Sequence, residues 1–163
     1  MPSENHPHAA ESPRVLQMAT IGKRFVALLV DQMILLIPAL ALMLAIAVPN
    51  GLFKEAGAAD PSPAFLMFQV LFSLAWMGFG IAYEGTMLAS GGQTVGKKLL
   101  RIKVVTPEGN DITSGQAWTR AAVRHVMSAV LCLGFVDYLV GLGQERTCIH
   151  DQAARTRVVN WDV

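Results

Sequence analysis

The sequence predicts an all-α integral membrane protein with two transmembrane helices, a third apolar segment and a short β-ribbon. Three observations carry that expectation. Hydrophobic residues make up 53% of the 163 and charged residues only 15%, against roughly 25% charged in soluble domains. Two long apolar runs carry almost no charge, and the thirteen Lys and Arg are distributed unevenly around them. A formal charge of +1 excludes a broadly basic nucleic-acid binder. Cys132 and Cys148 lack C-x-x-C spacing and make no disulfide framework.

Residues 1–18, polar and bearing Pro2, Pro7 and Pro13, read as a disordered tail. His6 and His8 stand there without the three or four converging ligands a metal needs. Residues 25–48 form the first apolar run, about 36 Å as helix, enough for a ~30 Å hydrocarbon core. It starts too late and runs too long for a signal peptide, and Pro38 predicts a kink near its middle. Pro49-Asn-Gly breaks it, and a loop over 52–63 leads to a second span at 64–83. The third apolar segment, 126–143, is interrupted by Gly134 and contains Asp137. It either crosses once or returns as a re-entrant hairpin buried against the other helices.

Charge orients these pieces. Arg14, Lys23 and Arg24 precede the first span, and Lys54 alone lies between the spans. Lys97, Lys98, Arg101, Lys103, Arg120 and Arg124 follow the second. The positive-inside rule makes the N-terminus and this long segment cytoplasmic. Arg146, Arg155 and Arg157 favour the same side for the C-terminal tail, which a hairpin would allow. Residues 100–105 alternate like a half-exposed strand, and Thr106-Pro-Glu-Gly-Asn110 is a turn signal. Thr113 and Gln116 fit a capping box opening a helix with Arg120 and Arg124 on one stripe. The run 156–159 reads as a strand able to pair with 100–105, closing a cytoplasmic ribbon.

Asp31 is the sharpest single residue. An ionised carboxylate inside a span costs about 2.5–3.5 kcal/mol on insertion scales unless paired or wetted. It suits a cation or proton site; equally, it suits a structural anchor with Arg24, Arg120 or Arg124 as partner. Gln32 beside it fits either arrangement. Asp137 follows the same logic at a less certain depth, and Glu84 suits pairing with a basic residue of the following loop. Gly91 to Lys97 spells G-x-x-x-x-G-K, but Lys98 stands where Ser or Thr would hold magnesium, and a membrane helix precedes it, so nucleotide binding is rejected. Lys97, Lys98, Arg101 and Lys103 instead form a juxtamembrane cluster suited to anionic lipid headgroups. His150-Asp151 lacks a third catalytic partner. Cys132 reads as a packing residue, and nothing near Cys148, read as an exposed thiol, activates it. No metal or cofactor is expected, and no nucleophile–base set suggests an enzyme.

Three pieces in order resemble the RDD family of bacterial membrane proteins. They are Arg24-Phe-Val-Ala-Leu-Leu-Val-Asp31, Gly91-Gly-Gln-Thr-Val-Gly-Lys-Lys-Leu-Leu-Arg-Ile-Lys-Val-Val105, and His150-Asp151 with Thr156-Arg-Val-Val159. The resemblance implies one membrane domain over 19–159, with residues 160–163 as a terminal tail, in the bacterial cytoplasmic (inner) membrane. It implies Arg24, Asp31 and Asp151 as the name-giving trio, with Asp137 a rival for the second aspartate. It also implies a transport-related role, with monovalent cation/proton exchange suggested for some members. So small a chain would need a homo-oligomer to enclose a pathway. The competing reading is a non-transporting assembly or accessory module in which these residues hold the fold.

Overall fold

The structure, a computed structural model, describes residues 17–130, 133–143 and 147–161. Helix α1 (Ile21–Ala47) opens at Thr20, whose hydroxyl accepts from the Lys23 amide, and is continuous across Pro38. A turn containing the 3₁₀ segment Leu52–Lys54 leads to Ser62, which caps α2 (Pro63–Gly91). Proline at the first helical position lacks only an amide that would go unpaired anyway. Helix α2 outruns the expected end at residue 83 because nothing stops it before Gly92, which takes a left-handed cap at φ 69°. Both helices are long and apolar enough to cross a membrane. They hardly touch along their length, and they expose large apolar side chains such as Ile37 and Met67.

The polar half of the chain builds a cap on one end of this pair. Thr94 caps the short α3 (Val95–Leu99), which lies on α1. Gly96 permits that approach, since a Cβ there would overlap the Ala27 carbonyl oxygen. Strand β1 (Ile102–Val105) pairs antiparallel with β2 (Arg157–Asn160), Ile102 opposite Asn160. Residues 100 and 101, expected in the strand, form its entry turn instead, with Arg101 at φ 51°. On the far edge of β2, Met18 bridges Val159, and Gln17 O accepts from Asn160 N at 2.8 Å. The last two residues of the expected tail are therefore part of the ribbon; residues 1–16, with His6 and His8, lie outside the described residues. The C-terminal boundary moves too, because Asn160 belongs to β2 and Trp161 N donates to Arg101 O at 2.8 Å.

Helix α4 (Ser114–Ala129) begins at the Thr113–Gln116 capping box and packs along α2. Gly85 makes room for Trp118; a Cβ there would lie 2.6 Å from the indole. The third apolar segment is not one helix. Helix α4 ends at Ala129, where Val130 turns extended (ψ 119°), and α5 spans Leu133–Val140 before α6 (Ile149–Ala153). A buried cluster including Ala27, Leu88, Ile102, Val104, Ala117 and Val158 joins ribbon, α4 and the helix ends.

Candidate functional site

Asp151, fully buried in α6, is the centre of the cap. Its Oδ2 accepts from Arg24 Nη1 at 3.0 Å and from the Cys148 amide at 3.1 Å, while Oδ1 takes the Arg120 guanidinium. Arg24 also donates to Val158 O at 3.2 Å, and Arg120 to Thr156 Oγ1 at 3.1 Å. One carboxylate thus joins α1, α4 and α6, and Arg24 extends the link to β2. Burial lowers the Arg120 pKa to about 10, which leaves it charged at neutral pH.

Arg120 continues the chain of contacts. Its Nη2 lies 3.1 Å from His150 Nε2, and His150 Nδ1 lies 2.5 Å from Asp137 Oδ2. A guanidinium only donates, so Nε2 must be the acceptor and Nδ1 must carry the ring proton towards Asp137. Burial, reinforced by Arg120, holds the His150 pKa below its usual value, in keeping with that neutral ring. The His150 amide donates to Asp137 Oδ1 at 3.1 Å as well. Asp137, Cys148 and His150 bring potential ligand atoms within 4.8 Å of one another. A metal at Nδ1 would force the proton onto Nε2, against the Arg120 donors, and Nε2 itself is covered. These residues therefore do not suit a metal. Cys148 is buried rather than exposed, and burial pushes its thiol pKa up, away from an activated nucleophile.

Two further carboxylates sit beside this chain. Glu84 of α2 meets Lys97 Nζ at 3.3 Å and Arg124 Nε at 2.6 Å. Burial draws the Lys97 pKa down to about 8 despite Glu84. Asp31, 3% exposed, is held by neutral donors: Tyr83 Oη at 2.9 Å, Thr94 Oγ1 at 2.6 Å and the Gly96 amide at 2.8 Å. The arginines expected to meet Asp31 lie elsewhere, on Asp151 and Glu84. A chamber of about 20 Å³ bordered by Arg24, Glu84, Lys97, Arg120, Cys148 and His150 has room for about one water.

Of the residues singled out by sequence, the structure joins Arg24 to Asp151 directly and links Asp137 to them through His150 and Arg120. Asp31 stands apart with its own donors. The four basic residues read as headgroup contacts divide: Lys97 is buried on Glu84, and Lys103 meets Asp111 at 2.7 Å and stacks over Trp161 at 4.2 Å. Lys98 and Arg101 face outwards. Sequence reasoning missed Tyr83, Thr94 and Gly96 as partners of Asp31, although two belong to the quoted Gly91–Val105 motif. An apolar span ending in a tyrosine, followed by a threonine and glycine, was the signal available.

The family model for the RDD family matches residues 18–155. The chain belongs to the RDD family. Among curated proteins, the RDD chain is 29% identical over 147 residues to the uncharacterized protein YxaI of Bacillus subtilis (strain 168), covering 83% of this chain and 93% of that one. No solved structure matches it. RDD membership and two helices long and apolar enough to span together support a membrane protein.

Proposed function

We propose that this RDD protein is a non-transporting, non-enzymatic membrane assembly or accessory module, in which α1 and α2 anchor a rigid cap. The carrying observation is charge balance at the junction. Among the described residues, Arg24, Lys97, Arg120 and Arg124 are set against Asp31, Glu84, Asp137 and Asp151, and each carboxylate has hydrogen-bonding or ion-pair partners. Such a network holds helices together, whereas an exchange site needs a carboxylate open to its ion. The protein is read as multi-pass in the inner membrane with its N-terminus cytoplasmic. The β1–β2 pairing supports a third segment that returns to the side it entered from.

Cation/proton exchange through Asp31, by a homo-oligomer, is the second reading. It is favoured by one observation: the three hydrogen-bond donors to Asp31 are neutral, so none of them neutralises the charge. Proteoliposomes separate the two. Wild type and Asp31→Asn are compared for dissipation of a pH gradient by sodium, potassium or lithium, after both are shown to insert and fold. The module reading expects no flux from either and lower thermal stability in the variant. Flux in wild type that a folded Asp31→Asn loses would establish exchange instead.

A further inference from the structure

We propose that Gln93, Lys98, Arg101 and Trp161 form a seat for the headgroup of an anionic phospholipid. The inference rests on the reading that α1 and α2 cross a bilayer, and it names a ligand for the cap's outer rim. The four side chains border a cleft of about 350 Å³. No carboxylate lines it, and neither Lys98 nor Arg101 has an ion-pair partner among the described residues. The other cations of this segment are neutralised within the fold, Lys97 by Glu84 and Lys103 by Asp111.

The seat is built rather than incidental. Arg101 adopts a left-handed backbone at φ 51°, which a residue with a Cβ enters only when its surroundings enforce it. The enforcing contacts are Arg101 N to Lys98 O at 3.1 Å and Trp161 N to Arg101 O at 2.8 Å. Gln93 gives its Nε2 to Ile102 O at 2.9 Å, which leaves its carbonyl oxygen to accept a headgroup hydroxyl. A phosphate would take Lys98 and Arg101.

Position and apolar exposure select lipid over free phosphate. Helix α3 rests on Ala27, and Lys23 Nζ bonds Asn160 Oδ1 at 2.9 Å. The cleft therefore lies level with the start of the α1 apolar run, where the bilayer interface falls. Leu99, between the two cations, is 66% exposed; in acyl chains it would be buried. Trp161 is of the type that concentrates at that interface.

The test is native mass spectrometry on the detergent-solubilised full chain with phosphatidylglycerol, phosphatidylcholine or inorganic phosphate. One cation near an anionic surface is worth about fivefold in affinity. Wild type should retain phosphatidylglycerol over phosphatidylcholine, and Lys98→Gln/Arg101→Gln should weaken retention about 30-fold with the fold intact. Lys98→Gln alone, at an exposed position, should weaken it about fivefold and keeps the test valid if the double variant misfolds. Equal retention of both lipids, retention unchanged by the variants, or equal competition by inorganic phosphate would each overturn the proposal. Flux in proteoliposomes would overturn the accessory reading alone, and extraction of the chain from membranes by carbonate would overturn the spanning reading.

Discussion

Asp151 and Arg24 form a direct ion pair, yet their replacement should have unequal effects. Asp151→Asn keeps the shape but removes the charge facing two guanidiniums. The new amide NH₂ must then oppose one of them, leaving Arg24 and Arg120 buried without their shared carboxylate. Breaking a buried pair by removing one partner costs about 3–5 kcal/mol, and the side chains of Asp151, Arg120 and Arg24 are 0, 3 and 6% exposed. Arg24→Met leaves Asp151 held by Arg120 and the Cys148 amide, so its cost should stay within the range of about 1.5–3 kcal/mol for a lost charged hydrogen bond. Thermal unfolding in a single detergent, followed by circular dichroism and size-exclusion recovery, reads the difference. At roughly 3 °C per kcal/mol for a chain of this size, Asp151→Asn should melt about 10 °C below wild type and Arg24→Met roughly half as far. Equal losses, or a larger loss for Arg24→Met, would refute Asp151 as the shared node.

Three more perturbations probe other parts of the cap. Gly96→Ala should displace α3 from α1 and break the amide bond to Asp31, costing about 3 kcal/mol from overpacking and a lost charged hydrogen bond; wild-type melting would refute the close packing. Tyr83→Phe removes one of the three donors to Asp31 and should cost about 1.5–3 kcal/mol, measured in the same melts, with no loss as the refuting outcome. For His150, unfolded chains bind a proton below about pH 6.5 while the folded ring, flanked by Arg120, Asp137 and Asp151, resists it. The unfolded state then holds more protons, so stability should fall as pH drops through that value. His150→Gln should flatten this part of the profile, and an unchanged slope would refute the assignment.

Features encoded within a few residues were legible before the fold was known. The Thr113–Gln116 box needs only four consecutive positions, the alternation before Val105 marks a strand by its period, and the two apolar runs mark long helices by length. The site depended on contacts between distant parts of the chain. Nothing local tells Arg120 and Arg124 apart, one helical turn from each other, yet the first reaches Asp151 and the second Glu84. Lys97 and Lys98 are adjacent, but the direction of α3 buries one and exposes the other. Asp31 was recognised as costly to bury, and the expectation of an arginine partner failed because two hydroxyls and a backbone amide supply its hydrogen bonds without supplying a charge.

The bond between Arg24 and Asp151 also sets a timetable for biogenesis. The two residues are 127 positions apart, so at ribosomal speeds of about 5–20 residues per second the arginine is made roughly 6–25 s before its partner. Helix α1 is therefore complete well before Arg24 can meet Asp151, and β1 waits likewise for β2. A chain stopped between residues 105 and 151 would lack both the Asp151 carboxylate that Arg24 meets and the β2 partner of β1. The cap can close only once β2 has been made, so a closed cap marks a chain whose synthesis has passed that last strand.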